Sequence, residues 1–285
     1  MGSMADNKSS ENKEIKQPDL DKRIEDEIEE LGKNNRIVRG KDGPVSSFLG
    51  ALGGLDTKIA LLSRKAGTPG PSEKTLEYVK NAFKDDGMDN VTVRAGHTRP
   101  WEDTKRLFTD PKLKDISLIG RMLAIPSTLI GGYFSKWDRS DHYNPFTKTM
   151  SLYSDIPSVA LHEMGHAKDF LQHRYPTLYS YLTKIPPLFL YPEYKASKYA
   201  HQWLPEKLKY QTGRFLFPAF GSYLAYAAGM DPILGMGAGY VAGQVFNWFR
   251  NLFSPSHKEQ KKDEKVQKLP VQGPNERYIP ETKAA

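Results

Sequence analysis

The stretch from His162 to His166 reads His-Glu-Met-Gly-His, so two histidines stand four residues apart with a glutamate beside the first. On an α-helix this spacing puts both imidazoles on one face, where they can bind the same metal ion. Glu163 then points at the position where a water molecule on that ion would lie, and it can act as a general base. The spacing therefore predicts one Zn²⁺ per chain, bound by His162 and His166, with Glu163 as the catalytic residue.

A catalytic zinc site usually has a third protein ligand and keeps its last position open for water. Two carboxylates are candidates: Asp169, three residues after His166, and Glu193, which lies at the start of a later predicted helix. Three ligands on one straight helix stack nearly in a line and fit a tetrahedron poorly. We therefore predict Glu193 as the ligand and Asp169 as a residue that orients a histidine. Asp169 as the ligand, or as a solvated surface charge, remains the alternative.

The composition excludes several other classes of site. There is no cysteine, so the chain has no disulfide framework, no thiol nucleophile and no zinc–thiolate site. The net charge of +7 is mildly basic, many of the lysines lie in two polar tails, and no nucleic-acid-binding motif accompanies them, so no nucleic-acid partner is expected. Residues 1–4 resemble a cloning remnant. The polar N-terminus has no apolar signal-peptide core, which predicts an intracellular protein.

The residues before the motif predict a helix followed by strands. Ser72 is suited to cap a helix that ends at Gly87. Val91–Ala95 has the β-branched alternation of a strand, and Ser127–Phe134 is predicted as a second strand, bent at its paired glycines. Farther upstream, Leu20–Leu31 has apolar residues at helical spacing and predicts a short amphipathic helix.

The segment Thr147–Tyr153 alternates between polar and apolar residues and predicts a strand just before the motif helix. Its polar face and Lys148 favour an edge strand, although a strand paired on both sides is the alternative. An edge strand offers free backbone groups to which an extended peptide can add. The residues predicted to bind substrate in this way are Thr149, Met150, Ser151 and Leu152.

Ser154 or Asp155 is predicted to cap the motif helix, with Pro157 in its first turn, where a missing N–H does no harm. A helix, two strands, an edge strand and the motif helix then follow one another along the chain. This order of elements indicates an α+β fold with a small mixed sheet.

The motif at His162–His166, Glu193 on the following helix and the strand at 147–153 together resemble the gluzincins. These are the thermolysin-like zinc metallopeptidases, and the compact minigluzincins are the most similar. The resemblance covers roughly residues 72–201 and implies a zincin-like fold that hydrolyses a peptide or protein substrate. The family carries an aspartate four residues after its glutamate ligand. Here Ser197 stands at that position, and it can hydrogen-bond a histidine ligand without adding charge.

Peptide hydrolysis also calls for a donor that stabilises the oxyanion of the tetrahedral intermediate. His201, Tyr191 and Tyr194 follow the motif closely enough to be candidates, although each is also suited to packing or to the surface. The alternative class is a non-catalytic zinc-binding or scaffold protein. The intact Glu163 argues against it, because a structural zinc site needs no base between its histidines.

The composition changes abruptly from Phe215 to Phe253, where only Asp231 and Arg250 are charged. Two apolar helices are predicted here, with glycines at every fourth position from Gly235. We expect a buried hairpin that completes the domain; insertion into or attachment to a membrane through 214–253 is the alternative. The predicted organisation is a tag and disordered segment (1–19), an N-terminal helical extension (20–70), a zincin-like domain (71–213), the apolar hairpin (214–253) and a disordered tail (254–285).

Overall fold

The computed structural model describes residues 27–40, 54, 58, 61 and 63–253. Within them the chain forms a five-stranded mixed sheet and eight α-helices, which confirms the α+β class. Both predicted disordered segments lie outside the described residues, and so does about half of the predicted N-terminal helical extension at 20–70. In chain order the elements are β1 (Glu27–Gly32), β2 (Asn35–Arg39), α1 (Glu73–Asp86), β3 (Thr92–Ala95), α2 (Pro100–Thr109), α3 (Leu118–Asp138), β4 (His142–Asn144), β5 (Thr149–Leu152), α4 (Pro157–Gln172), α5 (Pro176–Leu182), α6 (Leu190–Trp203), α7 (Phe217–Ala227) and α8 (Pro232–Phe253).

The strands of the sheet lie in the order β1-β2-β3-β5-β4. The two outer pairs are antiparallel, and the central pairs β2–β3 and β3–β5 are parallel. The main hydrophobic core lies between this sheet and helices α1 and α4: Met150 and Leu152 of β5 belong to the same buried cluster as Leu161 and Met164 of α4. The motif helix is therefore held directly on the sheet.

The predicted N-terminal helix is wrong where the structure describes it, because residues 27–31 belong to strand β1. Lys33 and Asn34 both have positive φ, of 47° and 59°, which is the backbone of a tight two-residue hairpin turn. Asn35 then fixes the hairpin to the body of the protein: its amide donates to Met88 O at 2.6 Å and accepts from Val91 N at 2.9 Å. This charged segment forms a strand because it pairs with β2, although its apolar residues have the spacing of a helix.

The helix and strand predicted near residues 72–95 are confirmed. Helix α1 is capped by the Ser72 hydroxyl, which accepts from Thr75 N, and it ends at Gly87 with a left-handed φ of 62°. Strand β3 follows at Thr92–Ala95.

The predicted strand at 127–134 is wrong, because these residues lie inside the 21-residue helix α3. Pro126 is accommodated within the helix on its exposed side. Gly132 faces Pro100, where an added Cβ would lie 2.9 Å from the proline ring, so this glycine permits close packing of α2 against α3 instead of a bend in a strand.

The prediction of an edge strand at 147–153 is also wrong. Strand β5 has β3 as its parallel neighbour and β4 as its antiparallel neighbour. Strand addition by a substrate at Thr149, Met150, Ser151 and Leu152 is thereby excluded. All four residues are buried, the first three are paired on both sides, and Leu152 is paired with β3. The edge is β4, whose three residues are too few to give an alternation signal in the sequence. The Asn144 side chain closes the turn between the two strands by accepting from Phe146 N at 3.0 Å.

Helices α7 and α8 pack against each other as the predicted hairpin. The expectation of a buried hairpin is wrong, however, because most of α8 is exposed. Glycines allow the two helices to approach closely, Phe217 stacks on Phe246 between them, and many of the other large apolar side chains are exposed. No helix in the described ranges combines the length and hydropathy needed to cross a membrane.

Candidate metal centre

The motif lies on α4, which begins at Pro157 as expected from the placement of this proline in the first turn. The prediction that Ser154 or Asp155 caps the helix is wrong, because Ile156 occupies the N-cap and makes no side-chain cap bond. Asp155 instead accepts hydrogen bonds from Ser72 and so ties the start of α1 to the start of α4. One free N–H of the first turn of α4, that of Ser158, donates to a glutamine side chain, Gln211 Oε1, at 3.1 Å.

Helix α6 crosses α4 at very short range. A Cβ added at Gly165 would lie 2.6 Å from Ala196 O and 2.7 Å from Ala196 Cα, distances that real side chains do not adopt. The glycine inside the motif and the alanine on α6 therefore allow the two backbones to touch. This crossing brings Glu193, one turn before Ala196, to the histidine face of α4.

Three potential ligand atoms converge at this crossing. His162 Nε2 lies 3.2 Å from Glu193 Oε2, and His166 Nε2 lies 3.4 Å from Glu193 Oε1 and 3.1 Å from His162 Nε2. One ligand atom from each residue falls within a group no wider than 4.8 Å. Two imidazole nitrogens and one carboxylate form the donor set of a catalytic zinc site with an open position. The residues present therefore fit Zn²⁺.

The electrostatics of this group favour a positive charge between its members. Burial by itself lowers the pKa of His166, but the charge of the Glu193 carboxylate and a hydrogen bond to it outweigh burial and raise the pKa to about 9. Burial by itself raises the pKa of Glu193, and the neighbouring histidines outweigh it and bring the pKa far below its ordinary value. A carboxylate that stays ionised beside two imidazoles provides the negative charge that a divalent cation requires.

Glu163 lies beside the three ligands in a cleft of about 270 Å³ whose walls also include Pro192 and Tyr223. The side chain is largely buried. Burial raises the pKa of its carboxyl group above the ordinary value, and the neighbouring histidines oppose this shift. A carboxylate with a raised pKa is a better proton acceptor near neutral pH.

The residues predicted to support the ligands have different surroundings. Ser197 Oγ lies 3.2 Å from His162 Nδ1, on the far side of the ring from Glu193, where it can fix the tautomer and orientation of the imidazole. Asp169 is fully buried and interacts with Tyr179 and Lys195 at 2.6 and 2.7 Å; no hydrogen bond to either motif histidine is found among the described residues.

His201 does not line the cleft. Its Nδ1 lies 3.0 Å from Thr212 Oγ1, and its ring borders a separate, apolar cavity of about 480 Å³ between α6 and the α7–α8 hairpin. Tyr191 and Tyr194 are both largely exposed, and neither lines the cleft.

Three residues that the sequence did not single out lie in the cleft: Asp141, His142 and Tyr223. The first two arrive with the short edge strand β4, and Tyr223 arrives from the apolar hairpin. The negative charge of Glu193, and then burial, raise the pKa of the Tyr223 hydroxyl, which therefore stays protonated at neutral pH. No spacing links these residues to the motif, because tertiary packing alone brings them there.

Comparisons of the chain with models of protein families, with curated proteins and with solved structures find no match.

Proposed function

We propose that this chain is a zinc-dependent metallopeptidase of zincin-like, gluzincin type that hydrolyses peptide bonds. One observation carries the proposal: ligand atoms of His162, His166 and Glu193 converge within 4.8 Å, and Glu163 shares their cleft. A purely structural site gains nothing from a buried carboxylate beside its ligands. A catalytic one requires a base there.

Bound by these ligands, Zn²⁺ would lower the pKa of a water molecule and polarise a peptide carbonyl. The residues of the chain supply the rest of the reaction. Glu163 accepts the proton of the attacking water and passes it to the leaving amine as the C–N bond breaks. The protonated hydroxyl of Tyr223 can donate a hydrogen bond to the oxygen on which negative charge develops. Ser197 keeps the ring of His162 in the orientation that ligation requires.

The structure also changes where a substrate is expected to bind. Among the described strands β4 lies at the end of the sheet that borders the cleft, and His142 and Tyr143 of this strand line it. An extended peptide can add to a sheet edge through backbone hydrogen bonds. We therefore place the substrate along β4, next to the metal ligands, instead of along the interior strand β5.

The decisive variant is Glu163→Gln, which keeps the size of the side chain and removes its ability to accept a proton. Wild type and variant are loaded with zinc, their metal content is measured, and cleavage of a peptide library is followed by mass spectrometry. Equal zinc with cleavage in the wild type alone supports the proposal. Zinc without cleavage in either protein supports a non-catalytic zinc-binding protein, and equal cleavage by both would refute the role of Glu163.

A further inference from the structure

Helix α3 distributes its side chains in a way that is unusual for a protein surrounded by water. Its inward positions are small or polar: Gly120, Ala124, Thr128, Gly132 and Ser135. Its outward positions carry large apolar side chains, and Ile119 and Phe134 are 71% and 69% exposed. The one charged side chain in the first four turns, Arg121, folds back to donate to the Ile116 and Leu113 carbonyls.

The α7–α8 hairpin repeats this inverted distribution. Glycines bring its helices into close contact, since an added Cβ at Gly235 would lie 2.3 Å from Gly221 O. On the outer side Ile233 and Leu234 are 71% and 74% exposed. Small residues between helices and large apolar residues outside are typical of helices in contact with lipid, because lipid tails are as apolar as the side chains themselves.

The two apolar faces are connected through α5 and the loop that follows it, and this loop lines part of the cleft that holds Glu163. At the start of α3, Gly120 packs on α5, where an added Cβ would lie 3.1 Å from Thr177 Cγ2. Exposed apolar residues continue from Leu182 of α5 through Leu188 of the following loop. Phe189 of that loop then packs its ring 6.0 Å from two tyrosines of α7 and lines the cleft.

We propose that the outer faces of α3 and of the α7–α8 hairpin dock on one leaflet of a lipid bilayer that contains anionic phospholipid. The ends of both helices carry the residues that bilayer interfaces favour. Tyr133, Lys136 and Trp137 lie in the last turns of α3, and Trp248 and Arg250 lie in the last turns of α8. The net charge of +7 complements an anionic surface.

A protein partner fits these faces less well. Interfaces between proteins that associate reversibly are nearly half polar by area, and monomers rarely expose apolar patches beyond a few hundred Å². The outer faces here extend over three helices. From residue 215 to residue 249 the only charged residue is Asp231, which lies in the loop between α7 and α8. Combined with the proposed function, on which this step rests, docking brings the cleft to peptides that lie at the membrane surface.

Flotation of the full chain with phospholipid vesicles tests the proposal, with vesicles of phosphatidylcholine alone and of phosphatidylcholine with phosphatidylglycerol. We expect the wild type to float with vesicles, and more strongly with the anionic ones. The double variants Ile119→Glu/Phe134→Glu and Leu234→Glu/Val241→Glu should each bind at least about tenfold more weakly. Lys74→Glu is the matched control, since it lowers the net charge by the same two units at an exposed position on α1 and should bind like the wild type.

Zinc content and circular dichroism of each variant show whether it is folded. A folded, monomeric wild type that fails to float with either vesicle would overturn the proposal. So would self-association in solution that the same variants abolish, because a second copy of the chain would then cover these faces. Cleavage of soluble peptides is measured separately, so a failure of the peptidase proposal is distinguishable from a failure of docking.

Discussion

Replacing Gly165 by alanine tests whether the close crossing of α4 and α6 creates the metal centre. The added Cβ would lie 2.6 Å from Ala196 O, about 0.8 Å inside the 3.4 Å at which ordinary contact begins. The atoms it meets belong to the backbone of α6, so the clash can be relieved only if the helices move apart. Because Glu193 lies one turn before Ala196 on the same helix, it moves away from both histidines.

Two opposing effects set the stability of Gly165→Ala. Alanine in place of glycine inside a helix stabilises by about 1 kcal/mol, whereas overpacking a close contact costs about 1–3 kcal/mol and sometimes more. Since the contact is with backbone, we expect the clash to prevail and the free energy of unfolding of the metal-free chain to fall by about 1–2 kcal/mol. The displaced carboxylate should raise the Kd for zinc by about 10–100-fold, the loss typical of a misplaced ligand shell.

Urea denaturation in the presence of a chelator measures the first effect, and competition with a chromophoric chelator measures the second. Gly131→Ala on α3 is the control, since nothing lies within 4 Å of a Cβ added there. It should gain up to about 1 kcal/mol of stability and keep its zinc affinity. If Gly165→Ala gains stability like the control and binds zinc like the wild type, the crossing distance does not control the site.

Three further predictions concern the surroundings of the site. Ser197→Ala should weaken zinc binding by about tenfold in the same competition assay, because His162 loses the partner that orients it. Glu193→Ala should lose zinc in elemental analysis while Asp169→Ala retains more of it, and the reverse order would show that the ligand assignment is wrong. Asp155→Ala should lower the free energy of unfolding by about 2 kcal/mol at neutral pH. Burial by itself raises the pKa of Asp155, but its hydrogen bonds outweigh burial and hold the pKa below the ordinary 3.8. The stability that Asp155 contributes is therefore present above that pH and is lost as the pH falls through the pKa of the folded state. If the difference in unfolding free energy between wild type and Asp155→Ala stayed the same in acid, the prediction would be contradicted.

The sequence predicted those parts of the protein that local chemistry determines. The cap at Ser72 and the left-handed residue Gly87 set the ends of α1 without help from the rest of the fold. The four-residue spacing placed His162 and His166 on one face of α4. Glu193 was selected because a third ligand on the same helix is geometrically poor, and the structure brings it to the two histidines.

The parts that the sequence did not predict depend on tertiary contacts. Helix α3 keeps its small residues inside and its large ones outside, so its glycines and proline suggested a bent strand. Strand β4 has three residues, and only its pairing with β5 identifies it. Tyr223 reaches the cleft from a hairpin whose composition gives no sign of chemistry. In each case the decisive interaction joins segments that are distant or too short to carry a pattern.

The central claim is that His162, His166 and Glu193 hold a catalytic zinc ion that Glu163 serves as base. The most direct measurement is a titration of the metal-free chain with Zn²⁺ while cleavage of a peptide library is followed. Cleavage should rise in proportion to added zinc and level off at one zinc per chain, and Glu163→Gln should show no rise although it binds the same amount. Cleavage that persists without metal, or that stays absent at every zinc ratio, would contradict the claim.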